Sequence, residues 1–293
     1  MKNTISKMAT LVVLVLLLSC EKENQTDLNE FNSLTPELIG KIHNKSMTNF
    51  KENYIKPELN SSSEIVDDII KYNIEFLKIE LDKNNIEVQT EFDIIKQREL
   101  FDTDHLAQKN FYNKSSKSFG KANEINFEDL NLYDKINFIY ENSIINSYEK
   151  DILIQLINYH QMNYEKLISD SELKEKVLLL EAGYLKSNPN FNNYGSFYVA
   201  SSIEISKHSN EWWEENYDDL QRKTSIYSKT MIAPWLAADI IGGAASGLIN
   251  IFEQGAGSGF SRPVDAGGVG WAMLKGAVTS SVAPWSRIAK LFK

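Results

Sequence analysis

Four histidines are the side chains in this sequence that are best suited to acid–base chemistry, and they are spread along the chain. His43 and His160 each fall on the apolar face of a helical pattern, which favours burial in the core. We therefore interpret both as core histidines rather than ligands. If the chain is an enzyme, we expect titratable groups to converge in one cleft, around His43 or around His160. The candidate polar-site residues are therefore His43, Asn44 and His160.

The other two histidines have acidic neighbours close by in sequence. His208 precedes Glu211 by one helical turn, a spacing typical of a packed helix surface. Asp102, Asp104 and His105 offer metal-ligand chemistry within one turn, but such clusters are common in polar loops and no distant partner is recognisable. The sequence therefore predicts neither a metal site nor a cofactor.

The short motifs of common catalytic sites are absent. Gly257-Ser258-Gly259 lacks the glycine spacing of a nucleophile elbow, and the sequence has no P-loop, no G-x-G-x-x-G and no H-E-x-x-H. Forty acidic residues allow many carboxylate pairs, and the sequence cannot select one of them. We therefore expect a binding or structural role more than catalysis, and an all-α enzyme is the third alternative.

The only cysteine, Cys20, follows a short apolar run. Lys2 and Lys7 precede the run, which extends from residue 11 to 18, and Ser19 separates it from the cysteine. The run is too short to span a bilayer, but it has the length of a signal-peptide core. The whole segment resembles a bacterial lipoprotein signal peptide, which implies cleavage between Ser19 and Cys20 and a lipid on Cys20.

The resemblance implies a membrane anchor and a location. Residues 1–19 would be removed, and residues 20–34 would form a flexible polar tether. The lysine and acids after Cys20 resemble the surface-export signal of Bacteroidota lipoproteins. We expect a lipid-anchored (palmitate-bearing) protein of the cell envelope at the outer membrane, either surface-exposed or on the periplasmic face, and its protein partner is unknown.

Charge is distributed unevenly along the chain. The net charge of the full chain is −9, and the loss of the two signal-peptide lysines makes the mature chain near −11. Residues 231–293 carry a small positive net charge, so the preceding body is strongly acidic. An acidic body argues against a nucleic-acid partner, because phosphate binding needs a positive face.

Residues 35–230 show helical patterns and helix-start signals throughout. Thr35 before Pro36 is typical of a helix start, and Ser61 with Glu64 and Ser169 with Glu172 have capping-box spacing. The pattern predicts one acidic all-helical domain over 35–230. The fold class is all-α, either a helical bundle or an irregular helical array, with a C-terminal glycine-rich helical hairpin.

Two helices give specific expectations about faces and ends. The helix that begins near residue 61 is expected to bury one face, and a helix near 196–216 is expected to end with Trp212 and Trp213. The buried face predicted for the first of these helices consists of Ile65, Ile69, Tyr72, Phe76 and Ile79, and it is widened by Val66, Ile70 and Leu77.

Several stretches together resemble a set of uncharacterised Bacteroidota lipoproteins. They are His43-Asn44, Ser201-Ser202-Ile203, Trp212-Trp213 and the small-residue C-terminus. The resemblance extends over much of the chain and implies no particular activity.

Residues 231–293 contain small residues spaced by four, which lie on one face of a helix. Two such faces allow helix backbones to approach closely. We predict a helical hairpin folded about Gly259, with an Asp239–Lys275 pair inside. The predicted packing residues are Ala238, Gly242, Gly243, Ser246, Gly247, Gly268, Ala272, Gly276 and Ser280.

Three states of the hairpin are compatible with the sequence. It could dock on the helical body, make a second membrane contact through 231–293, or form a flexible tail. The second state corresponds to the alternative function, a membrane-active protein of toxin or bacteriocin type. An acid near the middle of an arm opposes insertion, because it costs about 2.5–3.5 kcal/mol in a bilayer.

Overall fold

The computed structural model describes residues 34–53, 63–86, 132–187, 193–224, 239, 242–244, 246–251, 254 and 266–291. Several predictions fall outside these residues: the signal peptide with Ser19 and Cys20, the tether, the cap at Ser61, the Asp102–His105 cluster, Ala238 and the turn about Gly259. In α7, defined below, the side chains are described up to Thr279, which leaves out Ser280.

The described residues form helices, and they include no strand. This confirms the all-α prediction. Residues 239, 242–244 and 246–251 are also helical, and we call them the 239–251 segment. The remaining helices are α1 (Pro36–Asn53), α2 (Ser63–Lys83), α3 (Leu132–Glu141), α4 (Ser147–Tyr164), α5 (Asp170–Ser187), α6 (Tyr194–Thr224) and α7 (Ala266–Leu291).

Two of the predicted helix starts are confirmed. Thr35 Oγ1 accepts the N–H of Leu38 at 3.2 Å, so the hydroxyl satisfies a backbone donor in the first turn of α1. Ser169 and Glu172 form a reciprocal capping box: the Glu172 N–H donates to Ser169 Oγ at 3.3 Å, and the Ser169 N–H donates to Glu172 Oε2 at 2.7 Å. These caps fix where α1 and α5 enter the fold.

Helix α6 is the central element, and it is longer than the sequence predicted. It is buried from Ser196 to Ser206 and packs against α1, α4, α5 and α7. Trp212 and Trp213 lie within it rather than at its end, which corrects the expected end near residue 216. Their rings meet edge to face with centroids 4.8 Å apart, and the Trp212 indole donates to Thr48 Oγ1 of α1 at 2.9 Å. The contact with α1 therefore stabilises α6 as a helix beyond Trp212 and Trp213.

Of the predicted buried face of α2, the structure confirms Leu77 and corrects Ile79, while the side chains of Ile65, Val66, Ile69 and Ile70 lie outside the described residues. Ile79 is 51% exposed, and the face turned inward carries polar as well as apolar residues. Two of its polar residues bond to α1: Ser46 donates to Asn73 at 3.3 Å, and the ammonium of Lys45 donates to Glu80 at 3.0 Å. Hydrophobic spacing alone misplaced Ile79 because part of the α1–α2 contact is polar. Among the residues of α2 whose side chains the structure describes, the buried ones are Asn73, Ile74, Leu77, Glu80 and Leu81.

The 239–251 segment and α7 pack against each other as an antiparallel pair, which we call the C-terminal hairpin. A Cβ on Gly276 would overlap the carbonyl oxygen of Gly242 and the side chain of Ser246. A Cβ on Gly243 would come within 3.2 Å of Ala277. Five of the predicted packing residues therefore lie where the two helices come closest: Gly242, Gly243, Ser246, Gly247 and Gly276.

The C-terminal hairpin lies against the helical body. The hydroxyl of Tyr198 in α6 donates to the Ala244 carbonyl at 3.0 Å, and a Cβ on Gly243 would come within 3.0 Å of Ile205. A Cβ on Gly270 would come within 3.0 Å of Ile39 in α1. Among the described residues, no helix combines the length and the apolar character that a membrane span requires.

Candidate functional site

A buried polar junction connects the C-terminal hairpin to the body, and Asp239 lies at its centre. Asp239 Oδ2 accepts hydrogen bonds from Ser209 Oγ and, at 2.8 Å, from Trp213 Nε1, both on α6. His43 of α1 places its Nε2 atom 3.7 Å from the same oxygen. We call these four residues the polar junction, and at most 1% of any of them is exposed.

The junction forms because three helices each contribute one turn to it. Ser209 and Trp213 are four residues apart on α6, so both side chains face the same side of that helix. His43 comes from the buried stripe of α1 that also carries Ile39 and Met47. A lone carboxylate in an apolar segment needs such donors, because an unpaired buried charge is very costly.

Hydrogen bonds set the tautomer of His43. The amide of Asn44 donates through Nδ2 to the His208 carbonyl at 2.7 Å, which orients its Oδ1 as an acceptor. Asn44 Oδ1 lies 3.1 Å from His43 Nδ1, so Nδ1 carries the proton. Burial lowers the pKa of His43, and the nearby Asp239 opposes that shift only in part. The imidazole is therefore neutral near pH 7, with Nε2 unprotonated.

The polar junction contains the residue types of a hydrolase triad but not the arrangement. In a triad the histidine bonds the serine and the acid orients the histidine. Here Ser209 donates directly to Asp239, and His43 Nε2 is beyond hydrogen-bond distance of the carboxylate. All of these groups are sealed from solvent, so the geometry favours a structural role for them.

His160 belongs to a different hydrogen-bond group. Its Nε2 lies 2.6 Å from Ser206 Oγ on α6, and burial lowers its pKa to about 3. The candidate polar-site residues therefore fall into two groups: His43 and Asn44 join α1 to α6, while His160 joins α4 to α6. Both histidines are core residues, with exposed fractions of 0% and 1%, as the sequence predicted.

A charged network links α5 to the middle of α6. Lys207 Nζ lies 2.7 Å from Glu181 Oε1 and 2.7 Å from Glu204 Oε2. Burial alone would lower the pKa of Lys207, but these two carboxylates raise it. His208 lies 3.6 Å from Glu211, the neighbour expected from their spacing. The network positions α5 on α6 through ion pairs between side chains of the two helices.

An open groove of about 520 Å³ lies where the α3–α4 turn meets the start of α6. Glu149 is its buried acid, and both carboxylate oxygens are engaged: Oε1 accepts from the Tyr184 hydroxyl at 3.1 Å, and Oε2 accepts from the Asn146 N–H at 2.9 Å. Asn146 in turn caps α4. The acid of the groove therefore holds helix ends in place. The groove is lined by Tyr140, Ser143, Ile144, Ile145, Asn146, Glu149, Asn193 and Tyr194.

Within the part of the chain that the structure describes, no three His, Cys, Asp or Glu side chains are grouped in a way that could hold a metal ion. No protein-family model, curated protein or solved structure matches this chain.

Sequence reasoning recognised Asp239 as an unusual acid but not its partners on α6 and α1. The sequence did indicate that Asp239 has partners, because a single buried carboxylate in an apolar stretch requires hydrogen-bond donors. The two donors on α6 are 30 and 26 residues away in the chain, and no local spacing reveals such contacts. The predicted Asp239–Lys275 pair stays a prediction, and the Lys275 ammonium lies 5.1 Å from the centroid of the Trp271 ring.

Proposed function

We propose that this protein is a lipid-anchored component of the cell envelope that acts by binding or as a structural element. In this proposal Cys20 carries the lipid and residues 20–34 form the tether. The helical body and the C-terminal hairpin act together as one unit. The proposal treats the hairpin as part of the body rather than as a second membrane contact.

The position of Asp239 is the observation that carries the proposal. Its carboxylate accepts hydrogen bonds from Ser209 and Trp213 of α6, at a place that solvent does not reach. Insertion of the hairpin into a bilayer would break these bonds and transfer an acid into hydrocarbon, where it costs about 2.5–3.5 kcal/mol. A docked hairpin is therefore favoured over an inserted one.

The histidine environments favour association over catalysis. A general base needs to reach a substrate proton within hydrogen-bond distance. His43 and His160 are sealed in the core, and Glu149 of the open groove is engaged through both oxygens. These three residues would be the first candidates for catalytic groups.

Two arms of one experiment test the anchor and the hairpin separately. In the first, the full chain and the Cys20→Ser variant are expressed in a Gram-negative host that is fed labelled palmitate. We expect label on the full chain and none on the variant, because the cysteine thiol and amine are the acylated groups. Label on the variant would contradict anchoring at Cys20.

In the second arm, the chain from residue 21 to 293, which lacks the anchor, is mixed with dye-filled anionic vesicles. We expect it neither to float with the vesicles nor to release dye. Vesicle binding or dye release would contradict the docked role and support the membrane-active alternative. A Gly276→Leu variant is the matched comparison, because the added side chain would separate the helices of the hairpin without changing its charge.

A further inference from the structure

Helix α5 is apolar on two sides. Its inner stripe is buried against the body and consists of Leu173, Val177, Leu180 and Tyr184. On the opposite side Leu178 and Leu179 are 41% and 66% exposed. A surface helix normally presents polar residues outward, so a second apolar side suggests a contact with another surface.

The outward side of α5 is also open to close approach. Ala182 and Gly183 follow Leu179 by one turn, both are exposed, and a Cβ placed on Gly183 would meet no atom within 4 Å. Tyr148 of α4 is 42% exposed and stacks on Tyr184, with its hydroxyl 3.4 Å from the Gly183 carbonyl oxygen. The patch therefore continues from α5 onto α4. We call Tyr148, Leu178, Leu179, Ala182 and Gly183 the α5 outer face.

The exposed charges of α5 are complementary to those of a second α5 that runs in the opposite direction. Glu172 and Glu175 lie in the first half of the helix, Lys186 lies in its last turn, and all three are exposed. If a twofold axis passes through Leu179, Lys186 of one copy lies opposite Glu172 of the other. The same axis places Glu175 opposite Gly183, where the missing side chain leaves room for it.

The other charged side chains of α5 already contact the body, so they are not part of this exposed pattern. These side chains are those of Asp170 and of three residues on the flanks of the helix, Lys174, Lys176 and Glu181. Their partners are Asn163 for Asp170 at 2.8 Å, Glu214 for Lys174 at 3.2 Å, Lys207 for Glu181 at 2.7 Å and, for Lys176, the ring of Tyr159, whose centroid is 5.0 Å from the ammonium.

We propose that the α5 outer face pairs with the same face of a second copy of this chain, antiparallel and centred on Leu179. A twofold interface requires a self-complementary patch, and the acidic start and basic end of the exposed side of α5 meet that requirement. A pairing through one helix and an adjacent tyrosine lies at the small end of interface sizes, below about 1,200 Å². The dimer is therefore weak and depends on concentration.

Sedimentation equilibrium of the chain 21–293 over a wide range of concentrations tests the pairing. We expect a reversible monomer–dimer equilibrium that Leu179→Glu abolishes, because the two introduced carboxylates would face each other at the axis. Ile79→Glu is the matched control, since Ile79 is a 51% exposed apolar residue on α2. A wild-type chain that stays monomeric throughout, or a Leu179→Glu chain that still dimerises, would overturn the proposal.

A charge exchange tests the antiparallel register. Glu172→Lys alone and Lys186→Glu alone each place like charges opposite each other twice in the dimer. We expect the dissociation constant of either variant dimer to rise about tenfold, because two weak attractions become two weak repulsions.

Mixing the two variants provides the control for this exchange. In a mixed dimer Glu172 of one copy faces Lys186 of the other, and the two introduced residues face each other with opposite charges. Glu172 also caps α5, and any loss of that cap is the same for the Glu172→Lys chain alone and in the mixture. The equimolar mixture should therefore associate about as strongly as the wild type. A mixture as weak as the separate variants would exclude this register and overturn the proposal.

Oxidative crosslinking provides a second measurement of the same geometry. The chain 21–293 contains no cysteine, so Leu179→Cys introduces a single thiol at the proposed axis. We expect a disulfide-linked dimer on mild oxidation of this variant, and much less of it for Ile79→Cys. Equal crosslinking of the two variants would overturn the proposal.

Discussion

His160 lies between α4 and α6 with about 1% of its surface exposed, and its environment disfavours the charged imidazolium. Burial lowers its pKa from about 6.5 to about 3, and the Ser206 hydroxyl is its hydrogen-bond partner. His43 shows a pKa shift in the same direction for the same main reason, although Asp239 partly offsets it. Both residues therefore contribute to the core as neutral side chains.

The buried state of His160 predicts a dependence of stability on pH. As the pH falls below 6.5, the unfolded chain takes up a proton that folded His160 does not bind until its pKa of about 3 is reached. Folding is therefore progressively disfavoured across this window, by about 1.4 kcal/mol per pH unit. Denaturant unfolding of the chain 21–293 at about pH 7.5 and about pH 4.5 should show a loss from His160 alone of about 2–3 kcal/mol.

The matched variant is His160→Gln, which keeps a polar group for Ser206 but cannot titrate. All other ionisable groups are the same in both chains, so their contributions cancel in the comparison. The variant should lose about 2–3 kcal/mol less than the wild type between the two pH values. An equal loss in both chains would show that His160 titrates normally in the folded protein.

The sequence predicted the burial of these histidines but not their partners. Helical spacing placed both residues on apolar faces, and that information is local. The grouping of His43 with Ser209, Trp213 and Asp239 depends on contacts between distant segments. Nothing in the spacing along one helix indicates which residue of another helix lies opposite.

At the scale of elements, the C-terminal hairpin relies on the absence of side chains where its helices cross. Gly276 has no room for a Cβ, because the Gly242 carbonyl and the Ser246 side chain occupy that position. Glycine in a helix interior costs about 1 kcal/mol relative to alanine. Close packing of the two helices is the contact that offsets this cost.

Two glycine-to-alanine substitutions should therefore have opposite effects on stability. Gly276→Ala should lower the free energy of unfolding by about 1–3 kcal/mol, because overpacking outweighs the gain in helix propensity. Gly183→Ala should raise it by up to about 1 kcal/mol, because the added methyl group meets no atom on the surface of α5. Denaturant titration of dilute protein measures both. Stabilisation by Gly276→Ala would contradict the packing of the hairpin.

Some properties of the helices could be predicted from the sequence, and others could not. The caps at Thr35 and Ser169 could be predicted because a helix cap depends on residues within one turn. The exposure of Ile79 on α2 and the end of α6 were misassigned, since both depend on contacts with α1. Lys45 and Thr48 supply two of these contacts, and neither has a local signal in α2 or α6.

At the scale of the whole molecule, α6 is the helix on which four of the other described helices pack. It packs against α1, α4, α5 and α7, and it supplies Ser209 and Trp213 to the polar junction. The C-terminal hairpin is in contact with both α1 and α6, so the body and the hairpin share one core. The lipid on Cys20 and the location in the envelope stay predictions from the sequence.

The central claim is that the C-terminal hairpin belongs to the core of the body, and native-state hydrogen exchange tests it most directly. The chain 21–293 would be exchanged alone and with anionic vesicles, and peptides from 242–251 and 266–279 compared with peptides from 196–213 of α6. We predict that both regions open with the same free energy, and that vesicles change neither. Rapid exchange of the hairpin while α6 stays protected, either alone or on contact with vesicles, would contradict the account.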